Sequence, residues 1–209
     1  MDDLYEDDIY GEHRLRMEAE LARLTRRVRA LGESMGDQAE FNPIEHVRSR
    51  MKSNASMREK CRRKGFPETT ESALNNVYDA LGIRIVCAFL SDVYTVRDHI
   101  AQDPDSEVVE ERDYIRHAKP NGYRSYHMIL RSREGYYVEV QIRTISMDTW
   151  AALEHHLRYK KAYEAEGGVE NQRLIVAELK RCADELASTD VSLQTLRDII
   201  LGTSEGHGH

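Results

Sequence analysis

From Val138 to Thr144 apolar and polar residues take turns. Val138, Val140 and Ile142 are separated by Glu139, Gln141 and Arg143. That period predicts a β-strand with one buried face, so the acid, the amide and the base point together to the other face. Such a face suits a site that holds a metal and a charged ligand; a solvated sheet face is the plain alternative. Tyr123 to Arg131 lies before it, across a turn signal at Arg133-Glu134-Gly135, and pairing of 123–131 with 136–143 predicts a hairpin. Residues 82–89 read as a strand that is apolar on both faces except at Arg84, and 106–115 as a further strand.

Helical spacing dominates elsewhere. Leu15, Ala19, Ala22 and Val28 mark a helix over 12–31 that Gly32 can end, followed by a polar linker over 33–42. Asn42-Pro43 reads as a helix start, with Ile44, Val47, Met51 and Ala55 as its stripe and Gly65-Phe66-Pro67 as its stop. A second helix is predicted over about 71–80. A third, over 93–101, would be capped by Asp92. Helices are also predicted over 150–159, 170–187 and 190–201, with a hinge at Gly167-Gly168 and Asp190 as the last cap. There is no internal repeat. This order predicts an α+β domain with a mixed or antiparallel sheet of about five strands flanked by helices. Its expected parts are an acidic N-terminal tail and helix over 1–40, a central sheet-bearing unit over 41–161 and C-terminal helices over 162–209.

Composition narrows the class. The chain has 209 residues, 40% hydrophobic and 32% charged, enough for one domain with a real core and a highly polar surface. Its longest apolar runs fall short of a membrane span. Residues 1–12 hold six acids and no base, the reverse of a secretory signal, so a cytoplasmic location is expected. The three cysteines, Cys61, Cys87 and Cys182, fit reduced thiols better than a disulfide framework or a zinc site. The net charge of −7 argues against general nucleic-acid binding. Yet residues 48–64 carry eight bases and one acid, which suggests a specific polyanion or an ordinary solvated basic helix.

Five residues stand out chemically. Asp79 precedes the strand of Arg84, and Glu139 lies in another strand; two carboxylates meeting at a sheet edge can bind Mg²⁺, which completes its shell with water and phosphate. A helix-terminal or loop acid is the alternative for Asp79. Arg84 lies among Ile83, Ile85, Val86 and Cys87, so its charge needs a partner: a carboxylate, a phosphate or a stacked base. Tyr123, beside the Pro120-Asn121-Gly122 loop, can offer its ring to a nucleobase, as can Tyr126. A metal pair, a basic patch and an aromatic suggest phosphoryl transfer on nucleotides, where catalysis is mostly positioning and charge neutralisation. Walker-type glycine loops and cysteine or serine nucleophile motifs are absent.

These motifs resemble those of the bacterial small alarmone synthetases, single-domain relatives of the long stringent-response enzymes. The resemblance covers roughly 40–161 and rests on Gly122-Tyr-Arg-Ser-Tyr-His127, Val138-Glu-Val-Gln-Ile-Arg-Thr144, and Trp150 through Glu154-His155 to Tyr159-Lys160. It implies a nucleotidyltransferase-like synthetase domain that moves the β,γ-pyrophosphate of ATP to the ribose 3′-hydroxyl of GDP or GTP and releases AMP. By that resemblance Arg50, Lys52, Ser56, Lys60 and Arg63 hold ATP, and Arg50 and Arg84 sandwich its adenine. Asp79 and Glu139 hold Mg²⁺, and Glu139 also acts as base. Tyr123 stacks on the guanine, and Arg112, Lys119, His127, Gln141 and Arg143 line the acceptor side.

The chain departs from the family pattern in two places. Leu81 replaces an alanine in Asp79-Ala80-Leu81-Gly82. His46, Arg48 and Asp148 stand where one branch carries Phe, Thr and Asn at an allosteric pentaphosphate site, so activation by product is not carried over. The family also implies a homotetramer through the flanking helices; the stripe Leu179, Cys182, Leu186 suits that or packing on its own domain equally. Single-stranded RNA is a second partner compatible with the 48–64 patch; neither DNA nor a membrane is expected. Within the superfamily the alternative is a toxin that pyrophosphorylates adenine nucleotides or tRNA. Outside catalysis it is a nucleotide- or RNA-binding regulator.

Overall fold

The computed structural model describes residues 7–159 and 168–202. Its elements are α1 (His13–Gln38), β1 (Ile44–Met51), α2 (Asn54–Lys64), α3 (Thr70–Asn75), β2 (Leu81–Cys87), α4 (Leu90–Ala101), β3 (Ser106–Asp113), β4 (Tyr126–Ser132), β5 (Tyr137–Thr144), α5 (Ile145–Tyr159) and α6 (Gly168–Ile200). The five strands form one mixed sheet in the order β1-β2-β5-β4-β3, with β2 and β5 parallel and the other pairs antiparallel. The expected α+β class and the hairpin β4–β5 are both present. One face carries Ile83, Ile85, Met128, Leu130, Val138, Val140 and Ile142, all buried, with Met17, Leu21, Leu24 and Val28 of α1 and Val93, Val96 and Ile100 of α4 in the same core. Burying each such side chain contributes about 1.5–3 kcal/mol. This face anchors the sheet and leaves the opposite one for polar work.

The stretch 42–55 is not a helix. Residues 44–51 form edge strand β1, and α2 starts only at Asn54. Ile44 pairs with Cys87 and His46 with Val86, so Glu45 is an extra residue, a bulge. The bulge puts Ile44 and Val47, three apart in sequence, on the same core-facing side, and thereby imitates helical spacing. The Asn42 side chain accepts from the Ile44 N–H at 3.1 Å, a turn rather than a helix cap. The cap of α2 is Ser53, which accepts from the Ser56 N–H at 3.3 Å. Gly65, in the left-handed region, ends the helix.

Other boundaries also move. Helix α1 runs through Gly32 to Gln38, because Gly32 serves close packing: a Cβ there would lie 3.2 Å from the Ile44 side chain. The helix expected over 71–80 stops at Asn75, leaving Asp79 in the turn before β2. Asp92 lies inside the first turn of α4 and accepts from the Phe89 N–H at 3.1 Å, so the cap position belongs to Phe89. Asp190 lies within one continuous helix and caps nothing; its side chain bonds Thr144 instead. Gly168 opens α6, and Gly167 lies outside the described residues. The three cysteines are free.

The segment before α1 clasps the β1–α2 turn. Tyr10 is fully buried and its hydroxyl donates to the Lys52 carbonyl at 2.8 Å. The Ile9 N–H donates to Asn54 Oδ1 at 3.1 Å, and Asn54 Nδ2 to the Asp7 carbonyl at 2.9 Å. Tyr10→Phe removes one of these bonds without changing shape, and is expected to lower stability by about 1 kcal/mol in urea unfolding; an unchanged midpoint would mean that the hydroxyl bond adds nothing.

Candidate active site

Residues directly opposite each other on paired strands face the same side of a sheet. The registers therefore lay out two rows across the polar face. Arg48, Arg84, Gln141, His127 and Arg112 form one, and Arg50, Gly82, Glu139, Ile129 and Glu110 the other. Gly82 leaves the floor open between Arg50 and Glu139. Two cavities lie over this floor. The larger, about 560 Å³, is lined by Lys60, Lys64, Tyr78, Asp79, Arg112, His127 and Glu139, among others. The smaller, about 300 Å³, is lined by Arg48, Ser49, Arg50, Asp79, Gly82, Ile83, Arg84, Glu139 and Gln141. Asp79 and Glu139 belong to both, so the carboxylates stand where the two cavities meet.

Cations hold the carboxylates. Lys60 pairs with Asp79 Oδ2, and Lys52 reaches the same oxygen at 3.3 Å. The other oxygen, Oδ1, is buried without a hydrogen-bond partner. A buried orphan acceptor is costly unless a donor or a metal completes it. Burial pushes the Glu139 carboxyl up. The hydrogen bond and charge of His127, the Gln141 amide and the Lys60 ammonium outweigh it, and hold the group at about 2. Glu139 is thus ionised throughout the neutral range.

A closed ring of polar contacts ends on this carboxylate. Arg143 donates through Nη2 to the Tyr123 hydroxyl at 2.7 Å and to Gln141 Oε1 at 2.8 Å. Gln141 Nε2 donates to Glu139 Oε2 at 2.8 Å. The Tyr123 hydroxyl lies 2.8 Å from His127 Nε2, and His127 Nδ1 lies 3.5 Å from Glu139 Oε1. The imidazole thus bridges the Tyr123 hydroxyl and the Glu139 carboxylate, with Nδ1 on the carboxylate side. Arg143 is 3% exposed and Asp148 neutralises it at 3.0 Å. Asp148 also reaches Arg84 at 3.4 Å. Burial and the nearby Arg143 lower the Arg84 pKa, against the pull of Asp148.

Most of the residues expected at the site meet here. Asp79, Glu139, Arg50, Lys60, Arg84, Arg112, His127 and Gln141 line one or both cavities, and Lys52 and Arg143 contact members of the set. Ser56 and Arg63 are exposed on α2 and line neither. Tyr123 also lines neither: Lys119 Nζ lies 4.9 Å and the Arg143 guanidinium 5.2 Å from its ring centroid. Tyr126 is buried on the core side and donates to Glu111 at 3.1 Å, away from the polar face. Sequence reading missed Tyr78, Lys64 and Glu110 as cavity residues. It noted Asp148 only as a departure from a family pattern. The signal for Tyr78 was its place beside Asp79.

A family profile described as a region found in RelA / SpoT proteins matches residues 49–164. The chain belongs to the RelA/SpoT family. It is 42% identical to the GTP pyrophosphokinase YwaC of Bacillus subtilis over 151 residues, 69% of this chain and 72% of that protein. To the GTP pyrophosphokinase YjbM of the same organism it is 39% identical over 128 residues, 58% of this chain and 59% of that one. The small alarmone synthetase 1 of Bacillus subtilis, solved with its product pppGpp, superposes with a TM-score of 0.75 at 30% identity, covering 88% of this chain and 94% of that one. Within the RelA/SpoT region lie Lys52, Lys60, Asp79, Arg84, Arg112, His127, Glu139, Gln141 and Arg143; α1 and α6 lie outside it.

This member of the RelA/SpoT family has a donor set that suits a hard divalent cation. Among the described residues no three or more His, Cys, Asp or Glu side chains gather to hold a metal. Two carboxylates with one orphaned oxygen at the junction of two cation-lined cavities suit Mg²⁺, since it fills its shell with water and phosphate oxygens.

Proposed function

We propose that the protein is a (p)ppGpp synthetase, a GTP/GDP pyrophosphokinase that uses ATP as donor. The observation that carries this reading is the pair Asp79 and Glu139 shared by two neighbouring cavities, one lined by arginines and one by mixed cations. A transfer between two bound nucleotides needs this arrangement, with the reacting atoms at the junction. The related pyrophosphokinases and the pppGpp-bound neighbour support the chemistry.

In this reading Arg50 and Arg84 take the adenine of ATP between their planes, and Lys52, Ser56, Lys60 and Arg63 meet its phosphates. Arg112, Lys119, His127, Gln141 and Arg143 line the acceptor side, and guanine stacks on Tyr123. Glu139, ionised and aimed by His127 and Gln141, accepts the proton of the 3′-hydroxyl as its oxygen bonds the β-phosphorus. The bond from the β-phosphorus to the oxygen of the α-phosphate breaks, and AMP leaves with that oxygen. Mg²⁺ held by Asp79 and Glu139 would neutralise phosphate charge that otherwise repels the nucleophile. The chain's own cations do the rest, and the helices beyond the sheet close the protein into an assembly. Leu153 and Leu157 on α5, and Leu174, Val191, Leu193, Leu196, Ile199 and Ile200 on α6, are exposed, which supports a homo-oligomer, a tetramer by family habit. Among the described residues no helix is long and apolar enough to cross a membrane, in keeping with a cytoplasmic enzyme. The basic patch over 48–64 would serve single-stranded RNA if the protein binds it.

The test is incubation with Mg²⁺, ATP and each of GDP, GTP and ADP, with products resolved by anion exchange. AMP and a guanosine tetra- or pentaphosphate are expected, with turnover abolished by EDTA and restored by excess Mg²⁺. Product from ADP alone would move the protein to adenine-nucleotide toxins, and activity that persists in EDTA would overturn the metal assignment.

A further inference from the structure

Asp190 is an unusual residue for its place. It lies well inside α6, where aspartate is a poor helix former, and is only 7% exposed. Its Oδ2 accepts a hydrogen bond from the Thr144 hydroxyl at 2.6 Å. Thr144 follows Arg143 at the end of β5. The same hydroxyl oxygen accepts from the Met147 N–H at 3.2 Å, one of the free donors in the first turn of α5. A hydroxyl has one proton; giving it to Asp190 leaves the lone pairs aimed at that N–H. The next residue, Asp148, holds Arg143 and Arg84. An unbroken path thus runs from α6 through Thr144 and the start of α5 to the arginines of the site.

Further contacts put α6 on the same side of the site. A Cβ on Gly122 would lie 2.6 Å from the Ala183 Cβ and 3.0 Å from the Lys180 Cα, so the loop that carries Tyr123 rests directly on the helix. Asp184 pairs with Arg124 at 3.1 Å. Trp150, whose ring meets Tyr123 edge-on at 6.4 Å, donates to the Leu179 carbonyl at 2.9 Å. Tyr123 and Arg143, the two residues that α6 braces from behind, are both in the polar ring that ends on Glu139.

We propose that Asp190 is a positioning residue for the acceptor half of the site, acting through Thr144 on Arg143 and Asp148. This rests on the synthetase reading for the identity of the acceptor. The consequence is that a helix outside the family's shared region sets how well the acceptor nucleotide is held, and that anything displacing α6 weakens acceptor binding before donor binding.

The experiment compares Asp190→Ala, Asp190→Asn and Thr144→Val with the wild type. Trp150, the single tryptophan, reports GDP binding by fluorescence whether or not turnover occurs. Asp190→Ala and Thr144→Val are expected to weaken GDP binding and to raise the KM for GDP about tenfold, while the KM for ATP changes less than about threefold. Asp190→Asn, whose amide oxygen still accepts from Thr144, is expected to restore the wild-type values. The double variant Asp190→Ala/Thr144→Val is expected to be no worse than Thr144→Val, which already breaks the Asp190 bond along with the one from the Met147 N–H. Equal losses for ATP and GDP, or an Asn variant as impaired as the Ala one, would overturn the proposal. Should Asp190→Ala fail to fold, Thr144→Val carries the same test by itself. A wild-type protein that binds GDP yet makes no alarmone would overturn the synthetase reading and leave the binding arm of this test in force.

Discussion

Glu139→Gln is expected to lower turnover by about a thousandfold or more while the protein stays folded. The substitution keeps the shape and removes the charge. Glu139 lies at the junction of both cavities, and its carboxylate is held ionised by His127, Gln141 and Lys60. In the proposed reaction its loss removes a metal ligand and the proton acceptor at once, and charge neutralisation is the main work of phosphoryl transfer enzymes. Asp79→Asn is expected to do similar damage, because in the proposed reaction Asp79, with its orphaned Oδ1, is the second ligand of the same cation. The double variant is expected to be little worse than either single one, since groups acting as a unit are not additive. Initial rates under saturating ATP and GDP, with circular dichroism as the control for folding, decide the matter. A Glu139→Gln enzyme retaining more than about a tenth of the wild-type rate would remove Glu139 from the chemistry.

The legibility of this site in the sequence has a physical origin. Alternation over 138–144 exposes the polar face of β5 directly, because a strand's period is two and neighbouring side chains cannot change sides. Arg84 announced itself in the same way, as a charge in an apolar strand, and one of the partners foreseen for it, a carboxylate, is present: it is salt-bridged to Asp148, and it also lines a cavity. Edge strand β1 was hidden because the bulge at Glu45 breaks the period and imitates helical spacing. Asp148 and Asp190 were illegible for another reason. Asp148 joins the nearby Arg143 to the distant Arg84, and Asp190 meets a threonine 46 residues away; no local pattern records the two distant meetings. The cap expected at Asp190 was the right residue type noticed for the wrong purpose.

Gly122→Ala is the second large effect expected. Gly122 has φ +92°, a conformation that costs an L side chain about 1–2 kcal/mol. The new methyl would also meet Ala183 Cβ at 2.6 Å and Lys180 Cα at 3.0 Å, and neither is the far end of a flexible chain. Either the loop or α6 must shift, and forced overpacking costs about 1–3 kcal/mol more. A total loss of about 2–5 kcal/mol is expected in urea unfolding, with acceptor binding weakened because Tyr123 follows directly. Ala183→Gly removes the nearer of the two obstacles. Combined with Gly122→Ala it is expected to recover part of the loss, although by itself it costs about 1 kcal/mol of helix stability. That sign reversal is the decisive observation: a glycine in the middle of α6 that stabilises only when residue 122 is alanine shows the two backbones in contact. If the double variant is the simple sum of its parts, the loop does not rest on α6 in solution, and the helix loses its hold on the acceptor side.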